Sequence, residues 1–362
     1  MLKQNMNSKI LLTISLFVLA TGIFAQSGRN KPSETPSPTP TPRRVVYSPT
    51  EPINDYPSPN STPPKTPVKK ETNDDTITVE SNLVPVPVSV LDANGVSVTN
   101  LKLTDFTLEV DGQTVEIGEV TRSETPVRLA LLFDNSSSVS IAREFEKKAA
   151  IRFFKRVIRP EKDLVALFSV ATASRLEQPL TKNISQLTDA IEMFANPEGA
   201  TALLDGIIKA AEYLRDAQGR RVVVIVSDGD DTVSDSTLEE TMRSLQINNC
   251  QVYVVKTTDF ENYKRTGQRG GNANIRQLAA ERRMQEIAAQ TGGAVYSPID
   301  EKELDAAFNQ ISAELAQQYI LSYYPEDDAD KRGQFRTINL TVKNRQNLSV
   351  RTRKGYYVPK RN

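Results

Sequence analysis

The sequence predicts an α/β fold: a doubly wound, mostly parallel sheet with a small flanking β module. Across residues 126–322, apolar runs of strand length alternate with amphipathic helical stretches. Those runs are near-continuously apolar, as strands covered by helices on both faces must be. Residues 75–125 and 323–362 carry short, alternating strands instead. Neither flank is long enough to bury a core alone, so the two are expected to pair with each other.

The chain opens with MLKQNMNSK, which supplies Lys3 and Lys9, followed by the apolar ILLTISLFVLATGIFA. Residues 1–25 therefore read as a signal peptide cleaved before Gln26. The apolar stretch falls short of the about 20 residues a membrane span needs. No cysteine follows Ala25 to carry a lipid. The expectation is export, with no membrane insertion after signal cleavage; an uncut signal anchor is the weaker reading. Residues 26–74 are a Pro-rich disordered linker, whose composition favours an extended, solvated spacer.

In the N-terminal β segment, VPVPVSV alternates with prolines inside it, which predicts an edge strand. Asp92-Ala93-Asn94-Gly95 is a turn signal, and DFTLEV, Asp111-Gly112 and QTVEIGEV read as a hairpin. The buried strands follow as VRLALLFD, LVALFSV, RVVVIVSD, CQVYVVK and AVYSP. In IAREFEKKAAIRFFKRVI the apolar positions Ile141, Phe145, Ala149, Phe153 and Val157 recur on one helical face, and Pro160 follows the end. TALLDGIIKAAEYLRDA, TLEETMRSLQ, IRQLAAERRMQEIAAQ and EKELDAAFNQISAELAQQ behave alike, and Gly292-Gly293 marks a helix stop. FRTINLTVK and LSVRTRKGYYV close the chain as strands.

Composition narrows the chemistry. Lys plus Arg and Asp plus Glu are equal at 45 each, so no net charge draws the chain to nucleic acid. There is no histidine, which removes Ser-His-Asp and Cys-His nucleophiles and nearly every zinc arrangement. The single cysteine, Cys250, cannot form an internal disulfide and suits a small buried hydrophobe.

The carboxyl ends of the strands carry the remaining signal. VRLALLFD ends in Asp134 and runs on as Asn135-Ser136-Ser137-Ser138, a D-x-S-x-S pattern. With strand order 3-2-1-4-5-6, that end lies beside RVVVIVSD, which ends in Asp228. Thr201, in PEGATALLDG, opens a helix at the same edge. An oxygen-only set of two carboxylates and three hydroxyls points to a hard cation, Mg²⁺ first, with Mn²⁺ tolerated in similar sites. Neutral hydroxyls leave such an ion under-neutralised and ready to accept an external carboxylate.

These residues resemble the metal-ion-dependent adhesion site of the von Willebrand factor A-type domain. LAAERRMQEIAAQTGGAVYSP and QQYILSYYP resemble the closing part of that domain, and the span 76–357 is similar to a bacterial exported subfamily with flanking β segments. The resemblance implies Mg²⁺ held by Asp134, Ser136, Ser138, Thr201 and Asp228, and ion-bridged recognition of a protein partner presenting an Asp or Glu carboxylate. It implies a non-enzymatic role, with no catalytic residue and no organic cofactor. One alternative is a structural component of a cell-envelope complex, with the ion incidental. A remote one is a Mg²⁺-dependent hydrolase using a metal-bound water, which would lack a histidine base.

Asp230 and Asp231 read either as support for the ion ligands or as solvated surface acids. The basic stretch YKRTGQRGGNANIR (263–276) reads either as a rim of that surface or as a loop without a role. Asn135-Ser136-Ser137 is also a glycosylation sequon, and a glycan there would obstruct the site. This favours a bacterial protein, periplasmic, cell-surface or secreted.

Overall fold

The computed structural model describes residues 83–122, 125–140, 142–159, 161–269, 274–325, 331–343 and 345–358. The expected signal peptide and Pro-rich linker lie outside these residues, as do Ile141 and Pro160, expected at the two ends of the first long helix.

In chain order the elements begin with strands β1 (Val84–Leu91), β2 (Phe106–Val110), β3 (Gln113–Val115) and β4 (Glu119–Arg122). The α/β part follows: β5 (Val127–Asp134), α1 (Arg143–Val157), β6 (Leu164–Val170), β7 (Ser174–Thr181), α2 (Ile184–Glu192), α3 (Leu203–Tyr213) and β8 (Arg220–Ser227). It continues with α4 (Leu238–Ile247), β9 (Cys250–Lys256), α5 (Thr258–Thr266), α6 (Ile275–Thr291), β10 (Val295–Tyr296) and α7 (Glu301–Gln317). β11 (Tyr319–Tyr323), β12 (Phe335–Val342), β13 (Ser349–Thr352) and β14 (Gly355–Tyr357) end the described chain.

The central sheet has six strands in the order β10-β9-β8-β5-β6-β7. All pair in parallel except β7, which runs antiparallel to β6 at one edge. Alternate residues of each strand enter different cores. Leu129, Leu131 and Phe133 of β5 pack with Phe153, Phe154, Phe308 and Ile311 of α1 and α7. Ala130 and Leu132 pack with Ile207, Leu245 and Met284 of α3, α4 and α6. This two-sided burial is why the strand sequences lack alternation.

Three elements of this part are absent from the sequence reading. β7 is half-exposed along its length and carries Pro179 where its pairing with β6 slips register, so it lacks a buried-strand signature. α2 is nine residues long, begun by Asn183, whose side chain accepts the Ser185 N–H at 2.9 Å. α5 takes up part of the stretch read as a basic insertion and ends at Gly267 in the left-handed conformation, φ 70°.

The flanking strands form two antiparallel four-stranded sheets, β13-β1-β11-β4 and β14-β12-β2-β3. They share one core built from Val86, Val88, Leu108, Leu321, Tyr323 and Ile338, among others. β11 belongs here, paired to β1 and β4, and begins two residues after the end of α7. β1 is an interior strand rather than the edge its prolines predict. The Pro85 carbonyl accepts from Arg353 at 2.7 Å and the Pro87 carbonyl from the Thr352 hydroxyl at 2.9 Å. These carbonyls face away from β11, and a residue's N–H points to the same side as its carbonyl. The missing N–H groups therefore fall on the flank that β13 joins only from Val88 onward. The prolines occupy the unpaired half of an interior strand.

Gly292 and Gly293 end α6 beside β9. Gly292 takes φ 81°, and a Cβ on Gly293 would sit 1.8 Å from the Val252 carbonyl oxygen, so only glycine lets the helix end this close to the strand. Cys250 is buried at the start of β9, its thiol pushed up to about 12 by burial.

Candidate metal centre

The five sequence-nominated residues lie on three loops at the carboxyl edge of the sheet. Parallel pairing of β5 with β8 sets Phe133 opposite Val226, which brings Asp134 level with Ser227 and one residue from Asp228. The loop carrying Thr201 is tied to both neighbours. Ala202 N–H donates to the Ala171 carbonyl beyond β6 at 2.8 Å, and Thr232 N–H donates to the Thr201 carbonyl at 2.8 Å. Ser137 N–H donates to Gly199 at 3.2 Å, closing the loop after β5 onto the loop before α3.

Hydrogen bonds then orient the side chains. Asp134 is 1% exposed. Its Oδ1 accepts the Ser136 N–H at 2.9 Å and its Oδ2 accepts the Ser227 hydroxyl at 2.5 Å. The Ser136 and Ser138 hydroxyls meet at 2.9 Å, and Ser138 lies near enough to Asp228 to favour its charged form. Asp228 Oδ1 accepts the Asp230 N–H at 2.9 Å. Thr201 is buried, and its hydroxyl makes no hydrogen bond among the described residues.

Charge is the unresolved quantity in this arrangement. Burial, then the charge of Asp228, lifts Asp134 to about 6, and burial also raises Asp228. Two further carboxylates, not nominated from the sequence, stand behind them. Glu146 of α1 is fully buried and raised well above the usual range, first by burial and then by Asp134. Glu261 of α5 is lifted to about 7 by burial, Asp228 and Asp134. The signal for Glu146 was in the helix pattern: it lies four residues before Ala150 and eight before Phe154, on the stripe that enters the core.

The donor set fits a divalent cation. With Asp228 raising the pKa of buried Asp134, ionising the pair is unfavourable unless a cation offsets the charge, and the Thr201 hydroxyl is an oxygen without a partner in the same cluster. Hydroxyls carry most of the set: among the described residues, no three acidic, His or Cys side chains are grouped as a metal cage.

Asp230 and Asp231 have separate tasks. Asp230 pairs with Arg276 at 2.5 Å. Asp231 Oδ1 accepts the Leu203 N–H at 2.8 Å and the Leu204 N–H at 3.3 Å, capping α3 from another loop and so holding Thr201 in place. A cavity of about 240 Å³ opens beside the hydroxyls, lined in part by Ser138, Asp228, Glu261 and Arg276. Ile275, 87% exposed, and Leu278 stand near it at the start of α6.

Residues 129–230 match the von Willebrand factor type A domain family, and that span contains all five nominated residues. The chain carries a von Willebrand factor type A domain. Such domains commonly serve as protein-interaction modules and often bind a divalent metal. No curated protein sequence matches the chain. Among solved structures it is similar to the conserved hypothetical protein BatB from Bacteroides thetaiotaomicron, with 14% identity, TM-score 0.41, and coverage of 52% of this chain and 98% of that one. It is also similar to the PilB minor pilin from Streptococcus sanguinis, with 13% identity, TM-score 0.41, and coverage of 53% and 62%. A von Willebrand factor type A protein from Catenulispora acidiphila shows 11% identity, TM-score 0.43, and coverage of 78% and 75%. No helix among the described residues is long and apolar enough to cross a membrane.

Proposed function

We propose that this chain is an exported, non-enzymatic binding module that recognises a protein partner through a divalent cation, Mg²⁺ or Mn²⁺, at Asp134, Ser136, Ser138, Thr201 and Asp228. Residues 1–25 would direct export and residues 26–74 would space the folded part from its attachment or cleavage point. The working location is the bacterial periplasm, cell surface or medium.

The observation that carries this reading is the pair of repelling carboxylates, buried Asp134 and half-buried Asp228, bridged by neutral hydroxyls. When bound, a divalent cation supplies a positive centre able to take one more oxygen ligand from outside the protein. Asp134 and Asp228 would supply its negative ligands, while Ser136, Ser138 and Thr201 would hold it without neutralising it further. Glu146 and Glu261, whose pKa values burial raises, would add negative potential from behind once a bound cation favours their ionised forms. The cavity lined by Ser138, Asp228 and Arg276 would admit the Asp or Glu of the partner, with Arg276 as a guiding cation and Ile275 and Leu278 as apolar contacts.

The test is calorimetric titration of Mg²⁺ and of Mn²⁺ into the full chain and into Asp134→Ala. Saturable binding that disappears in the variant is the expected result. Absence of binding in the wild type would overturn the ion site and leave structural assembly as the role of the domain.

A further inference from the structure

At the end of the central sheet remote from the ion site, the amino ends of β8 and β9 face β1, β11 and the β13–β14 connection across a cavity of about 320 Å³. Three arginines line it: Arg220 and Arg221 from the start of β8, and Arg353 from between β13 and β14. Arg220 and Arg353 are each only 9% exposed.

Every acceptor that these arginines meet is neutral. Arg220 donates to the Gln318 side chain and the Leu315 carbonyl. Arg353 donates to the Asn249 side chain and, at 2.7 Å, to the Pro85 carbonyl. Arg221 donates to the Ala217 carbonyl at 3.2 Å and the Asn248 carbonyl at 2.9 Å. Among the described residues, the buried Nε groups of Arg220 and Arg353 have no hydrogen-bond partner. No carboxylate among the described residues forms an ion pair with any of the three. Burying a guanidinium without a counter-charge is unfavourable, and burial draws both Arg220 and Arg353 down to about 10. Pro85, Pro87, Leu245 and Ile320 supply apolar wall between the charged groups.

We propose that this cavity binds a small organic anion, a carboxylate or phosphate head on a short apolar body, held by Arg220, Arg221 and Arg353. The planar guanidinium fork matches both heads through paired N–H···O bonds. The volume lies at the lower end of ligand pockets, roughly 300–1,000 Å³, which excludes large ligands. The lining comes from the central sheet and from the flanking β strands alike, so an occupant would stabilise both against unfolding.

The experiment titrates benzoate, phenyl phosphate, inorganic phosphate and neutral benzamide into the full chain at constant ionic strength, by calorimetry and thermal denaturation. Wild type, Arg221→Gln, Arg353→Gln and Asp134→Ala are compared. Saturable binding of benzoate or phenyl phosphate is expected, and the stronger of the two identifies the head group. Benzamide and Arg221→Gln should each weaken binding by about tenfold or more, while Asp134→Ala should bind as wild type does. Binding of inorganic phosphate as tight as that of phenyl phosphate would remove the apolar body from the proposal. Failure of both organic anions to bind at about 10 mM, or equal binding by benzamide or by Arg221→Gln, would overturn it. Because Arg221 is only half-buried, its variant decides the matter even where Arg353→Gln fails to fold.

Discussion

Asparagine at position 134 should stabilise the ion-free protein and abolish its response to Mg²⁺. The carboxyl of Asp134 is 1% exposed and lifted from 3.8 to about 6. At ~1.4 kcal/mol per tenfold change, its ionised form costs the ion-free fold roughly 3 kcal/mol at neutral pH. Asparagine removes that charge and keeps the shape. Its carbonyl can still accept the Ser136 N–H. The Ser227 hydroxyl, which already accepts the Gly229 N–H at 2.9 Å, can accept from the new amide as well. With some loss of hydrogen-bond quality, Asp134→Asn should gain about 1–2 kcal/mol in EDTA, raising Tm by about 2–6 °C. Mg²⁺ at about 100 times its dissociation constant should then stabilise wild type by about 2.7 kcal/mol and the variant not at all. Differential scanning calorimetry with EDTA and with Mg²⁺ reads both effects. A variant less stable than wild type in EDTA, or one still stabilised by Mg²⁺, would refute the reasoning.

The same charges set a pH dependence. Because the folded-state values of Asp134 and Glu261 lie above their ordinary 3.8 and 4.5, at about 6 and about 7, their contribution to ion-free stability is present at low pH. It is lost as pH rises through those values, so Tm in EDTA should fall between about pH 4 and 7 from these groups. Ion binding requires the ionised carboxylates and should change oppositely, weakening by about tenfold or more per pH unit below 6 in calorimetric titrations. Asp231→Ala removes the cap of α3 and should cost about 1 kcal/mol in urea unfolding, while also weakening Mg²⁺ binding by loosening Thr201. Gly293→Ala forces a methyl into the Val252 carbonyl and should cost about 3 kcal/mol or more, read as a lowered urea midpoint without loss of the Mg²⁺ response.

The doubly wound sheet was legible because its strands are buried on both faces and its helices carry one apolar face each, and both patterns survive in a single sequence. β7 was not legible, since a half-exposed edge strand containing Pro179 has neither pattern. The prolines of β1 pointed to an edge for a sound reason, yet a strand can be unpaired along half of one side and interior elsewhere. At the site, strand order and the D-x-S-x-S spacing nominate ligands because both are local. Glu146 and Glu261 reach the site from α1 and α5, and only packing shows that their carboxyl groups lose water beside Asp134 and Asp228. Arg353 belongs to the closing β segment, so its approach to Arg220 depends on how that segment meets the central sheet.

Chain direction connects the two ends of the molecule. In a parallel sheet with helical crossovers, helix amino ends lie at the carboxyl edge of the strands, where their partial positive charge favours acids. Asp231 on the first residues of α3 uses that polarity directly. At the opposite edge, α4 and α6 present their carboxyl ends, and Leu245, Gln246, Gln290 and Thr291 from those ends line the arginine cavity. Carbonyl-rich helix ends favour cations, which helps keep guanidinium groups there without carboxylate partners. The fold therefore supports concentrations of opposite charge at its two edges, each short of its counter-charge. A cation would complete the first and an anion the second.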